Sequence, residues 1–270
     1  MMKTIVLANH KGGCAKTTCA LNIAVALAAK GARVLAVDLD PQGNLSTALG
    51  ANLEELEDSH RTSLRLMLAE DEDYSTFLVN ARPRLDLIPS CLDDTAEAML
   101  LGADSRELLL KEKLEPAQTS YNYCIIDTPP SLGTPTLNAL AMSDLTIVPV
   151  DTGLFSLVGI KQLRRKVGRM SRKYSPEMMV RALSTKFTKR NKIDRSVREE
   201  MIKRFGDDYV FETTIPRTVD IEEATALLKS VTESRNDSPA AFAFFQLLKE
   251  IKEALGDEEI RTGTIERKLG

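Results

Sequence analysis

The chain has 270 residues, 43% of them apolar, ample for one hydrophobic core and normal for one α/β unit. No apolar run reaches the roughly 18 residues that a spanning helix needs, and the sequence opens on a strand pattern with no signal peptide, so a cytoplasmic protein is expected. Four cysteines without C-x-x-C spacing and two histidines exclude a zinc framework, while a net charge of −3 hides a stretch, residues 161–204, with sixteen Lys or Arg against four acids.

A short apolar strand over residues 4–8 runs into HKGGCAKTT, residues 10–18, and an apolar helix over residues 21–29 runs out. Glycines let a loop fold tightly enough for successive N–H groups to face phosphate oxygens, and the helix N-terminus adds positive potential. Gly12, Gly13, Cys14, Ala15, Lys16, Thr17 and Thr18 are the candidate phosphate contacts. Lys16 would reach the terminal phosphates, and the Thr17 hydroxyl is the type of group that ligates magnesium beside ATP or GTP oxygens. The usual pattern, G-x-x-x-x-G-K-[ST], places glycine where this chain has His10 and Ala15. An alanine held at positive φ there costs about 1–2 kcal/mol. Without its lysine and threonine the stretch would read as a strand-to-helix turn. Cys14 sits where a helix N-terminus can lower a thiol pKa; it is otherwise a small residue filling a variable loop position.

Gly31 suits a helix C-terminal cap, and residues 33–38 form a buried strand ending in Asp38, followed by Asp40. Residues 51–73 are an acidic surface excursion, helical around 64–68; a strand follows at 85–90, then helices at 92–101 and 106–114, the latter stopped by Pro116. Residues 123–127 are a strand ending in Asp127, and 145–150 another. Continuous apolar strands separated by helices predict an α/β fold with a mostly parallel twisted sheet covered by helices on both faces. Such sheets gather their sites at strand carboxyl ends, where Asp38, Asp40 and Asp127 fall.

From residue 155 a helix turns basic at Lys161, Arg164, Arg165 and Arg169, and a second cluster holds Lys186, Lys189, Arg190, Arg195 and Arg198. A charge run is ordinarily a solvated face; two clusters nearly free of acids suit a polyanion, and a nucleic acid is the expected partner. The last helix, 239–255, carries a phenylalanine-rich apolar face, and the charged tail, 256–270, lacks the face of a membrane-targeting helix, so no membrane association is expected.

Residues 11–17, KGGCAKT, resemble the deviant Walker A motif K-G-G-x-G-K-[ST] of the ParA/MinD family, departing only at Ala15. DLDPQGN (38–44) resembles its switch I, YCIIDTPP (123–130) its Walker B strand and switch II, and LDLIPS, LSTKFTKR and TIPRTV resemble further family segments. The resemblance implies one P-loop ATPase domain over residues 1–255, with ATP and Mg2+ as ligands and no added N-terminal DNA-binding domain. It implies that Lys11 reaches across a two-fold axis to the partner's phosphates and acts in catalysis with Lys16, that Asp40 orients the attacking water, and that Thr17, Asp38 and Asp127 serve the metal. Pro216 and Arg217 would approach the adenine, while Asp220 stands where a basic residue is common. It further implies an ATP-dependent homodimer that binds non-specific double-stranded DNA of the nucleoid and partitions a plasmid, chromosome or protein cargo with a ParB-like partner, hydrolysing ATP weakly when alone. Alternatives from the same residues are an ATP-gated DNA-binding switch with negligible hydrolysis, a MinD-like membrane-associated ATPase, and a metal-cluster relative of the nitrogenase iron protein.

Overall fold

The computed structural model describes residues 1–151, 168 and 177–257. Its strands are β1 (Lys3–Leu7), β2 (Val34–Asp38), β3 (Val79–Arg82), β4 (Leu85–Ile88), β5 (Tyr123–Asp127), β6 (Leu145–Asp151), β7 (Met179–Phe187) and β8 (Val210–Pro216). Among the described residues these form one sheet in the order β3-β4-β2-β5-β1-β6-β7-β8. Every neighbouring pair is parallel except β3 with β4. Continuous β-branched and leucine runs leave β2 and β5 buried along their whole length, as a sheet covered on both faces requires.

Alternation along the strands separates two cores. Ile5, Leu7, Ala36 and Ile125 face α1 (Lys16–Ala29), α2 (Asn44–Ala48) and the C-terminal helix. Val6, Leu35, Val37 and Ile126 face the other layer, built from α4 (Ser63–Leu68), α5 (Asp94–Gly102), α6 (Leu109–Lys113), α7 (Thr134–Ala141) and α8 (Lys192–Phe205). A short α3 (Leu53–Ser59) precedes α4, and α9 (Val219–Ala226), α10 (Val231–Ser234) and α11 (Pro239–Leu255) close the chain. Phe244 of α11 is fully buried against the first core, a burial that stabilises by about 2–3 kcal/mol.

The helix ends show why the boundaries fall where they do. Past α1, Gly31 takes φ +94, its N–H donating to Ala28 O (2.9 Å) and that of Ala32 to Leu27 O (3.2 Å), the paired bonds of a glycine-terminated helix. Helix α5 begins two residues later than its sequence pattern suggests, because Asp93 serves as N-cap for Ala96 N–H (2.8 Å) while also binding the Arg65 guanidinium. Helix α6 is shorter than the predicted 106–114: Asn138 takes the Leu110 N–H (3.0 Å) and donates to Arg106 O, tying that stretch to α7 in a non-helical approach. Pro116 opens a short 3-10 turn and does not simply end the helix. The acidic excursion contains α3 and α4. The basic helix expected from residue 155, with Lys161, Arg164, Arg165 and Arg169, lies outside the described residues.

Candidate nucleotide site

The loop after β1 is fixed from several directions before any ligand is considered. Asn9, buried, donates from Nδ2 to Pro149 O of β6 (2.7 Å) and accepts the Lys11 N–H at Oδ1 (3.1 Å). The Cys14 thiol donates to Lys11 O (3.2 Å), and Cys14 O accepts the Thr185 hydroxyl of β7 (3.0 Å). Cys14 is 1% exposed, and burial raises its thiol pKa although Lys16 acts in the opposite sense, so it packs the loop as a small residue and not as a reactive thiolate. Gly13 and Ala15 both adopt left-handed backbone, with φ +70 and +73. Ala15 therefore carries the strain of about 1–2 kcal/mol anticipated from the sequence. A methyl group added at Gly12 or Gly13 would meet nothing within 4 Å, so the cradle opens onto free space.

Lys16 and Thr17 open α1, and the side chain of Lys16 is largely buried with no ion pair among the described residues. The Thr17 hydroxyl donates to Asp127 Oδ2 (2.5 Å). Thr18 is half-buried and its carbonyl accepts from Asn22 Nδ2. Lys11 points elsewhere: its ammonium lies 3.7 Å from Asp151 at the end of β6.

Asp38 and Asp127 stand level with one another across β2 and β5, both wholly buried. Asp38 is saturated: Oδ1 accepts the Asp40 N–H (3.0 Å), and Oδ2 accepts the Ser46 N–H (2.9 Å) and hydroxyl (2.8 Å). Burial pushes its pKa up to about 6 against those hydrogen bonds. Asp127 is held well above the usual carboxylate range by burial and by the Asp38 charge, with Thr17 and Lys16 opposing. Its Oδ1 is buried without a partner. Asp40 is 7% exposed and braces the following turn through Gln42 N–H (3.1 Å). That turn requires Gly43, at φ +60, where a Cβ would fall 2.7 Å from Ser90 O.

An orphaned carboxylate oxygen beside a threonine hydroxyl, next to a loop of open N–H groups and a buried lysine, fits a magnesium nucleotide. No group of three or more His, Cys, Asp or Glu that could hold a metal ion is found among the described residues. Pro216 ends β8, one strand beyond the β7 that touches the loop, and Arg217 follows it, its N–H donating to Phe187 O (3.2 Å). They line a groove of about 820 Å³ together with Lys189, Arg195, Arg198 and Phe242. Lys189, Arg190 and Arg195 are exposed, and Lys186 is half-buried in β7 with φ +52. Arg198 is engaged within the fold, donating to Phe211 O (3.1 Å) and Glu212 O (3.2 Å) on the edge strand.

Asn9, Ser46, Asp151 and Thr185 are the site's supports that motif reading did not assign. Ser46 bonds Asp38 from eight residues away, whereas the partners of Asn9, Asp151 and Thr185 lie far away in sequence; Thr185 falls within the segment LSTKFTKR, which gave it no role. No helix among the described residues is long and apolar enough to cross a membrane.

Comparison with protein families matches residues 2–180 to the AAA domain. The sporulation initiation inhibitor protein Soj of Bacillus subtilis is 35% identical over 254 residues, covering 93% of this chain and 98% of its own. The chromosome partitioning protein ParA of Caulobacter vibrioides is 33% identical, covering 93% and 94%. Among solved structures, a Mycobacterium smegmatis protein named cobyrinic acid a,c-diamide synthase, with bound ATP analog and magnesium, superposes with a TM-score of 0.81 at 32% identity, covering 93% of this chain and 96% of that one. A putative plasmid partition protein of Borrelia burgdorferi bound to AMPPNP shares the fold, with a TM-score of 0.78 at 24% identity over 94% of this chain and 99% of that one. With the loop geometry and the two strand-end aspartates, these likenesses place the chain in the ParA/MinD family of deviant Walker A P-loop proteins, among its ParA/Soj members.

Proposed function

We propose that this protein is a Mg2+-ATP-dependent partition ATPase that dimerises on ATP and binds DNA without sequence preference. The observation that carries the reading is the pairing of Thr17 with Asp127, whose second oxygen is buried and unpartnered, directly beneath the loop bearing Lys11 and Lys16. The N–H groups of residues 12–18 would hold the phosphates, with Lys16 as the cation for the terminal ones. Thr17 and Asp127, with Asp38 beside Asp127, would hold magnesium, which when bound supplies charge neutralisation to the phosphates. Asp40 orients the attacking water, held in place by the turn that Ser46 and Gly43 fix. Lys11 exchanges Asp151 for the phosphates of a partner subunit, adding positive charge where negative charge develops.

The basic face supports the second half of the reading. Exposed Lys189, Arg190 and Arg195 offer a phosphate-tracking surface in a stretch of sequence rich in Lys and Arg, and a dimer presents it twice, so affinity rises on ATP binding. The protein then resides on the cytoplasmic nucleoid, and a ParB-like partner bound to plasmid, chromosome or protein cargo stimulates hydrolysis. The strained Ala15 favours a second reading, an ATP-gated switch with negligible turnover. The test is binding to a random duplex with ATP, ADP or no nucleotide at two salt concentrations, alongside Lys11→Ala. ATP-dependent, salt-sensitive binding lost in the variant supports the gated dimer; binding indifferent to nucleotide sinks it. Turnover measured with DNA present separates enzyme from switch.

A further inference from the structure

Two non-glycine residues in left-handed backbone lie on either side of a single hydrogen bond. Ala15, φ +73, follows Cys14, whose carbonyl accepts the buried Thr185 hydroxyl at 3.0 Å; Lys186, φ +52, follows Thr185. The bond joins segments 171 residues apart. Opposite Lys186, the pairing of β7 with β8 breaks register between Ser184 and Phe187. Strain of this kind persists where surrounding contacts over-determine it.

The peptide between Cys14 and Ala15 is trans, so its C=O and N–H point in opposite directions. Holding the carbonyl toward β7 fixes the Ala15 N–H on the side away from β7. The Cys14 thiol, donating to Lys11 O, fixes the other end of the same turn. We propose that Thr185 is a positioning residue for the phosphate loop: its hydroxyl holds the Cys14–Ala15 peptide in the orientation that binds phosphate, and it transmits to the loop the state of the basic end of β7. The second part rests on the polyanion reading above. Lys186 adjoins Thr185 directly, with exposed Lys189 and Arg190 in the turn that follows, so a polyanion seated there acts on the backbone that carries the hydroxyl.

ATP and ADP affinity of the full chain, with and without a random DNA duplex, tests both parts in Thr185→Val, which keeps the shape and removes the donor, and in Thr185→Ser, which keeps the donor. An unpaired buried carbonyl predicts about tenfold weaker nucleotide binding in Thr185→Val and recovery to within about twofold in Thr185→Ser. Wild-type affinity for ATP should rise with DNA present, and Thr185→Val should lose that increase while still binding DNA. Wild-type nucleotide affinity in Thr185→Val overturns the positioning role, as does an equal loss in the serine variant. If DNA leaves the wild-type affinity unchanged, the transmission part falls and the loop-positioning part is judged on the first comparison alone. If DNA does not bind at all, it is the polyanion reading that fails. Should Thr185→Val not fold, Thr185→Cys, a weaker donor of similar size, must bind nucleotide less tightly than wild type, and equality overturns the proposal.

Discussion

At the carboxyl ends of β2 and β5, Asp38 and Asp127 lie fully buried and face one another across adjacent strands, while past the end of β7, Lys189 and Arg190 stand in solvent. Both regions close the same edge of one sheet, yet charge is handled in opposite ways. The buried acids are few, and all but one of their oxygens have a hydrogen-bond partner. In a low-dielectric setting each lost partner is expensive, so position matters more than number. The exposed cations are numerous and loosely held, as suits a diffuse phosphate backbone, where number matters more than position. Arg198 marks the border: it has the charge of the second region and the fixed hydrogen bonds of the first.

Substitutions should separate the two regimes. Lys16→Ala removes the largely buried cation of the loop and is expected to lower ATP turnover by about 10³-fold, read in a phosphate-release assay; a loss below tenfold would place the phosphates elsewhere. Asp127→Asn relieves the confrontation with Asp38, so the unliganded protein should gain about 1–2 kcal/mol in a melting experiment. The extra stabilisation that magnesium gives with ATP should vanish in the same variant. Lys189→Ala with Arg195→Ala should weaken DNA binding uniformly across sequences and reduce the slope of log K against log salt by about 2, roughly one per residue, while leaving the melting temperature unchanged. Arg198→Ala should reverse that pattern, costing about 1–2 kcal/mol of stability in urea while changing the salt slope least. If Arg198 instead behaves like Lys189, the border has been drawn in the wrong place.

Five of the eight described strands and the loop were legible from sequence because their signals are local, whereas β3, β7 and β8 were not read as strands. Apolar runs gave β1, β2, β5 and β6 nearly to the residue, and motif spacing put Lys16, Thr17, Asp38 and Asp127 at strand and helix ends. The supporting residues were not legible for a physical reason. Asn9 finds Pro149 at a separation of 140 residues, Ser46 receives the Ser90 N–H from 44 residues away, and Thr185 reaches Cys14 across 171. Serine and threonine at such places carry no periodicity or turn signature of their own. Helix limits failed for the same reason, since the side chain of Asn138, from α7, decides where α6 begins. The commitment of Arg198 to the edge strand was equally hidden, because a charge pattern does not record which cations are already engaged.

Ala15 has a consequence for conformational entropy. A glycine at this position would visit left-handed and right-handed backbone almost equally; the alanine methyl disfavours the left-handed one, so the surrounding fold has to hold it there. Tethered through the neighbouring Cys14 carbonyl to Thr185, the folded loop holds that left-handed shape without a ligand, so less freedom remains to be lost on binding. The tether thereby makes capture depend less on ordering the loop and more on the charges that meet there. Ala15→Gly should relax the fold and, at the same time, make nucleotide binding more entropically opposed, a change of signature that calorimetry would register even where the affinity itself barely moves.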